Sequence, residues 1–296
     1  MFVGNQLLSD SPLKDHPLNP MRESNLVRVS ARQTALPVEI STIWQGEDAV
    51  RAAFAQQRAA GKRILIVDTL ADADLRMIGA AWTDMRLVTG GSGIALGLAA
   101  NFVRAGKVAP RPAAARLAAP AGRAAILSGS CSLATRGQIV AAQAAGQPAL
   151  CPHVEALAAG RQTVADVAAW AIAQPDSTTP VIYSSADPEA LRRIQHRIGQ
   201  HQSGALVEAV LASVAVSLRD AGFRRFLIAG GETSGAVVTA LGVSILQIGP
   251  EIDPGVPWTR SIGAPELALV LKSGNFGAPD FFLKALSLLD SEPSHV

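Results

Sequence analysis

Cysteine is nearly missing from this chain of 296 residues. Its two copies, Cys131 and Cys151, are too few for a disulfide framework or a structural zinc site, and they fit a reducing, cytoplasmic setting. Aromatic residues make up 4%, with a single tyrosine, which leaves little for base stacking. Charge is also sparse: 17% of residues are charged, the net charge is +2, and no run of Lys or Arg makes a basic patch. A nucleic-acid partner is therefore not expected. No apolar run is long enough to span a bilayer without charges, and the first residues lack the pattern of a secretory signal, so no membrane partner is expected either. The histidines His16, His153, His196, His201 and His295 are scattered and receive no chemical role. What is plentiful is apolar material, 49% of the chain, enough for the cores of two domains.

The stretch FLIAGGETSGAVVTAL, Phe226 to Leu241, has the most definite local meaning. Four strand-like residues lead into Gly230-Gly231, and Glu232-Thr233-Ser234 open a helical pattern through Val237, Val238 and Leu241. A strand that delivers a glycine turn to a helix start presents free backbone N–H groups and the positive end of a helix dipole. A phosphate suits that place. Thr233 or Ser234 would cap the helix or touch the phosphate, and Glu232 would hold a metal-bound water. The alternative is an ordinary strand-to-helix turn capped by Thr233.

Similar units recur along the chain. The opening residues to Pro20 read as a polar loop, Ser24 to Val29 as the start of a helix capped by Ser24, and Val38 to Trp44 as a strand. Glu47 to Ala60 reads as a helix stopped by Gly61. Arg63 to Leu70 predicts a buried parallel strand with Asp68 and Thr69 at its carboxyl end. Asp72 to Trp82 predicts a helix. Arg86 to Phe102 predicts a short strand, the turn Thr89-Gly90-Gly91-Ser92-Gly93 and a helix of small residues; the turn reads equally as a second candidate anion site or as a glycine-rich helix start. Ala105 to Gly122, with three prolines, reads as a linker, dividing the chain into domains at 1–108 and 123–290.

After the linker, Ala124 to Leu127 predicts a strand, Ser128-Gly129-Ser130-Cys131-Ser132 a hydroxyl-rich turn, and the residues to Gly146 a helix. Cys131 reads as a thiolate at a helix start or, more commonly, as a small buried residue. Helices are expected over Arg161 to Ala173, after Asp187-Pro188, and over Gly204 to Ala221, with a strand at Val181 to Tyr183. Val243 to Gly249 predicts a strand ending in the loop PEIDPGVPW, in which Asp253 reads as a turn-former. Glu266 to Gly277 predicts a strand and a turn in which Lys272 precedes Ser273-Gly274-Asn275; the lysine reads as a phosphate contact or as a solvated strand-end residue. A helix from Pro279 to Leu289 closes the chain.

This alternation predicts an α/β fold of two domains with mostly parallel sheets, built from strand, Gly/Ser turn and helix. Ligands bind such sheets beyond the carboxyl ends of the strands, where the turns at Gly129, Gly230 and Gly274 would converge. None of these turns matches G-x-x-x-x-G-K-[ST] or G-x-G-x-x-G, so a Walker site and a dinucleotide fingerprint are not expected.

The segments SGSCSLAT, AGGETSGAVVTALGV, IGPEIDPGVPW and LKSGNFGAPDFF together resemble the four-carbon acid sugar kinase family, with FVGNQLLSDSPLKDHPLNPM matching near the start. The likeness is greatest to the 3-oxo-tetronate kinases. It implies an N-terminal sugar-acid domain and a C-terminal nucleotide domain, with ATP and Mg²⁺ as cofactors and the terminal hydroxyl of a four-carbon acid sugar as acceptor. It also implies that Ser130, Ser132, Gly230, Gly231, Glu232, Thr233, Gly274 and Asn275 hold ATP. Asp68, Gly90, Gly91 and Ser92 are expected to face the sugar acid, and Glu232 the metal; no catalytic base is assigned. Family members begin upstream with an Asp-Asp-x-Thr-Gly-Ala motif, so this chain is expected to enter partway through the first domain. An exposed sheet edge and association with another chain would follow. A nucleotide-binding module without turnover, or an ATP-independent sugar-acid enzyme, are the alternative readings.

Overall fold

The computed structural model describes residues 1–3, 5–11, 14, 20–41, 46–110, 117–184 and 200–290. The architecture is α/β with mostly parallel sheets, in two units, Met1–Pro110 and Arg111–Val296.

Unit 1 opens with a small antiparallel pair, β1 (Phe2–Val3) and β2 (Gln6–Leu7), and a short 3₁₀ turn at Leu8–Asp10. Helix α1 (Leu26–Ala31) starts later than expected. Its cap is Asn25, whose side chain accepts from the N–H groups of Val27 and Arg28, whereas Ser24 is engaged with Ser9. Strand β3 (Val38–Ser41) pairs in parallel with β4 (Ile64–Val67), and α2 (Glu47–Ala59) lies between them in the chain. The expected continuation of β3 to Trp44 falls outside the described residues. β4 is half-buried rather than buried, and Asp68 beyond it is exposed.

Helices α3 (Asp72–Ala81) and α4 (Ile94–Arg104) pack through glycine. A Cβ on Gly79 would lie 2.2 Å from the Gly97 carbonyl carbon, and one on Gly97 would lie 2.0 Å from the Leu75 carbonyl oxygen. Only glycine allows backbones to approach this closely. Buried Asn101 fixes the crossing by donating to the Gly79 carbonyl at 2.7 Å. The short strand expected from Arg86 up to the turn at Thr89 is not formed: the segment has no strand partner, and Leu87 is 84% exposed.

Unit 2 is one seven-stranded sheet. In chain order its elements are β5 (Arg123–Ser128), α5 (Leu133–Ala144), β6 (Ala149–Leu150), α6 (Val154–Ala158), α7 (Val164–Ile172), β7 (Val181–Tyr183), α8 (Gln200–Asp220), β8 (Phe223–Ala229), α9 (Gly231–Ala240), β9 (Leu246–Asp253), β10 (Val256–Ser261), β11 (Ala268–Lys272) and α10 (Phe281–Asp290). The helix expected after Asp187 begins outside the described residues. The sheet order is β6-β7-β5-β8-β11-β10-β9, parallel from β6 to β11 and antiparallel at β10 and β9.

The central strands are apolar on both sides because both sides are covered. Leu127, Phe226, Ile228 and Leu269 join Val167, Val214 and Val237 in one core. Their alternates Ile126, Leu227 and Val270 join Ile139, Phe281 and Ala285 in the other. Helices α7, α8 and α9 therefore cover one face, and α5 and α10 the other.

The segment expected as the loop PEIDPGVPW is instead an antiparallel hairpin. Strands β9 and β10 turn at Pro254-Gly255, where Gly255 has φ +79°, and the register shifts around Pro257. Asp253 is not merely a turn-former. It pairs with Lys284 of α10 at 2.6 Å and accepts the Ala278 N–H at 2.8 Å. Burial pushes its carboxyl pKa up, but these two partners outweigh it and hold the value below the ordinary one. A depressed folded pKa adds stability above the unfolded value, and that stability is lost as pH falls through the folded one. Asp253→Asn is expected to cost about 2 kcal/mol at pH 7. Urea unfolding followed below pH 4 should show the gap between variant and parent closing.

Candidate functional site

Adjacent strands β5, β8 and β11 end together, and each delivers a glycine turn. The chain leaves β5 for α5 on one face of the sheet and leaves β8 for α9 on the other, so the loops part above the β5/β8 junction. A crevice at such a divergence is where open α/β sheets bind ligands.

The three turns are in contact. A Cβ on Gly129 would lie 2.1 Å from Thr233 Oγ1, and one on Gly274 would lie 2.3 Å from Ser130 Oγ and 3.2 Å from Ser132 Oγ. The N–H groups of Gly129 and Ser130 both donate to the Ala229 carbonyl, at 3.0 and 3.2 Å, and the Gly230 N–H donates to the Lys272 carbonyl at 2.8 Å. Gly230 sits at φ +127°, a conformation costly for any side-chain-bearing residue, and serves as the N-cap of α9. The first backbone bond of α9 runs from the Ser234 N–H to the Gly230 carbonyl. The amides of Gly231, Glu232 and Thr233 are thus the donors that a helix start leaves without an intrahelical partner. No protein atom lies within 4 Å of a Cβ built on Gly231, so this corner is open.

Several expectations require correction. Neither Thr233 nor Ser234 caps α9; both are buried, and Thr233 fills the gap beside Gly129. Ser132 is a cap, but of α5, where its hydroxyl accepts the Thr135 N–H at 3.1 Å. Its own O–H donates to the Gly274 carbonyl, binding the first turn to the third. Cys131 is exposed, not a small core residue. Lys272 is neither solvated nor turned outward to a ligand. It is 1% exposed, and its ammonium bonds inward. Burial lowers its pKa to about 8.

Ser130, Ser132, Gly230, Thr233 and Gly274 therefore lie together, and exposed Asn275 follows directly on the third turn. Glu232 is exposed on the first turn of α9. Burial, and then the charge of Glu232, raise the Glu208 carboxyl above its ordinary value. Sequence reasoning missed Glu208, Thr135 and Gln138. Gln138 Nε2 donates to the carbonyls of Phe276, Gly277 and Ala278 at 3.0–3.1 Å, fastening the third loop to α5. Nothing in the spacing of these residues announces loops so distant in sequence.

In unit 1, Leu75 at the start of α3 meets Gly93 at the entry to α4, and Gly79 meets Gly97 further along. The two helices thus run side by side in one direction, and the segments entering them share one end. Asp68, Gly90, Gly91 and Ser92 belong to those segments and are exposed. None of the three glycines Gly90, Gly91 and Gly93 has a positive φ, and Gly91 faces open space.

Two family models match the chain: a sugar-binding N-terminal domain over residues 1–98 and a nucleotide-binding C-terminal domain over residues 125–282. A 3-oxo-tetronate kinase of Pseudomonas fluorescens is 51% identical over 292 residues, covering 98% of this chain and 67% of the relative. The 3-oxo-tetronate kinase of Burkholderia multivorans is 50% identical, with 98% and 68% covered. Among solved structures, a Salmonella typhimurium protein superposes with a TM-score of 0.75 at 36% identity, covering 95% of this chain and 67% of that one. A Haemophilus influenzae protein superposes at 0.66 and 34%, with 97% and 69% covered.

Proposed function

This chain belongs to the four-carbon acid sugar kinase family, and on that premise we propose that it is an ATP-dependent kinase acting on the terminal hydroxyl of a 3-oxo-tetronate or a related four-carbon acid sugar. The observation that carries this reading is the meeting of three glycine turns at the carboxyl ends of β5, β8 and β11, with the open start of α9 among them. A phosphate chain is the ligand that such amides and such a dipole favour. The scarcity of cysteine supports a cytoplasmic setting.

The amides of Gly231, Glu232 and Thr233 bind the phosphates; Ser130 and Ser132 line the β5 side, and Gly274 and Asn275 the β11 side. Among the described residues no group of three or more His, Cys, Asp or Glu side chains is placed to hold a metal ion. Glu232, exposed on the first turn of α9, would be the protein carboxylate that holds a magnesium ion there. Bound Mg²⁺ neutralises charge on the transferring phosphoryl group. In unit 1, the exposed Gly90-Gly91-Ser92 turn receives the acceptor's carboxylate and Asp68 a hydroxyl. The chain's work is to hold both reactants in place, which is most of what phosphoryl transfer asks of a protein.

Calorimetric titration with ATP, with and without Mg²⁺, tests the reading. The parent protein is expected to bind. Gly231→Trp, which fills the open corner, is expected to weaken binding about 100-fold or more. Glu232→Gln should lose most of the Mg²⁺-dependent part of the affinity. A folded parent that does not bind ATP would sink the assignment. Binding without transfer to a 3-oxo-tetronate would identify a nucleotide-binding module instead.

A further inference from the structure

Lys272 touches the second and third turns and reaches α5, the helix that the first turn enters, through Thr135. Its backbone carbonyl accepts the Gly230 N–H at 2.8 Å. Its side chain runs beneath the third turn, where Nζ donates to Thr135 Oγ1 at 2.9 Å and to the carbonyls of Gly274 and Ser273 at 3.1 and 3.3 Å. An ammonium has three protons to give, and here it has three acceptors. The ring of Phe281 lies 5.9 Å away, the outer range of a cation–π contact. Thr135 in turn donates to the Gly274 carbonyl at 2.8 Å, so that one oxygen takes the hydroxyls of Ser132 and Thr135 as well as the ammonium.

The hydrogen bonds are satisfied, but the charge is not. Among the described residues no carboxylate forms an ion pair with Lys272. The elements packed around it carry Arg136 on α5, Arg224 and Arg225 on β8, Glu232 on α9, Glu251 and Asp253 on β9, Arg260 on β10, and Asp280 and Lys284 at α10. Asp253 and Lys284 pair with each other, and burial alone lowers the Lys272 pKa, to about 8. A buried charge without a counter-ion is costly. Its place directly behind the phosphate turns points to a counter-charge that arrives with the ligand.

We infer that Lys272 is a positioning residue for nucleotide binding: its side chain fastens the third turn to α5 through Gly274 and Thr135, its backbone carbonyl holds Gly230 of the second turn, and its buried positive charge is completed by the ligand's polyphosphate. This rests on the kinase reading above. A polyanion bound in front of the turns favours the charged lysine, so binding near pH 8 draws a proton from solution onto Nζ.

The test is calorimetry of Mg²⁺-ATP binding at pH 8 in two buffers of different ionisation enthalpy, with steady-state kinetics for both substrates. The parent is expected to take up a fraction of a proton, up to roughly one half. Lys272→Met is expected to bind ATP about 10- to 100-fold more weakly. It should take up no proton, keep the KM for the sugar acid, and melt no lower than the parent, because an unpaired buried charge has gone. A lysine that merely stabilised the fold would give the opposite melting result. Folded Lys272→Met with ATP affinity within about twofold of the parent and the same proton uptake would overturn the inference. If that variant does not fold, Thr135→Val decides: it keeps the volume but removes the hydroxyl between Nζ and Gly274. A tenfold weaker ATP affinity is expected, about 1.4 kcal/mol, and unchanged affinity overturns the inference. Absence of ATP binding by the parent overturns the kinase reading too, which is distinct from a binding parent with indifferent variants.

Discussion

Gly129→Ala is expected to weaken ATP binding about 100-fold, the scale on which a misplacement of about 1 Å at a reacting site is felt. The added Cβ would fall 2.1 Å from Thr233 Oγ1, and Thr233 is buried. The β5 turn and the start of α9 would have to move apart where we propose that the phosphates bind. Removing the obstacle tests the cause. Once Oγ1 is gone, the nearest Thr233 atom is its Cβ at 3.4 Å, an ordinary contact. Gly129→Ala combined with Thr233→Ala should therefore recover much of the lost affinity, with a coupling energy of about 1–3 kcal/mol in a double-mutant cycle. Additive losses would mean that Gly129 acts in some other way.

Gly79→Ala is expected to be the most damaging small change in unit 1. The methyl would enter the backbone of α4 at 2.2 Å, and no flexible side chain stands there to yield. Overpacking of this kind costs about 3 kcal/mol, occasionally more. For a unit of this size, that lowers the melting temperature by roughly 10–20 °C. Scanning calorimetry should show the transition of unit 1 displaced. A melting curve like the parent's would mean that α3 and α4 separate at little cost.

Much of this fold was legible because strands covered on both faces read as unbroken apolar runs. AILS, FLIA and ALVLK each end at a glycine or hydroxyl turn, and each is a central strand of unit 2. The strand at Phe226 begins three residues earlier, at Phe223, because two arginines interrupt the apolar pattern. Arg224 and Arg225 reach the carbonyls of Arg219 and Pro120, contacts that only the folded chain supplies. Beyond Gly249, where the expected strand stopped, the β9–β10 hairpin was illegible for the opposite reason. Pro250, Pro254 and Pro257 look like loop punctuation, yet an outer hairpin with an irregular register accommodates them. Leu87 and Val88 show the converse: strand-like composition makes no strand without a neighbouring edge to pair with.

At the site, glycine marked the three turns, but not what lies beneath them. Lys272 reads as a polar end to an apolar strand. Its burial depends on Thr135, 137 residues away. Glu208 is one more polar position on a long helix until burial and the charge of Glu232 are felt there.

The grip on the loop after β11 has an evolutionary reading. Ser132, Thr135, Lys272 and Gln138 hold it through the carbonyls of residues 273, 274, 276, 277 and 278, and Asp253 holds the Ala278 amide. Every one of those contacts is to main chain, which is the same whatever the side chain. The loop's shape is therefore recorded mainly in α5 and its cap, well over a hundred residues earlier, rather than in the exposed side chains of Ser273 and Ala278. Heritable change in the loop itself should accordingly be tolerated more readily than change at its distant fasteners.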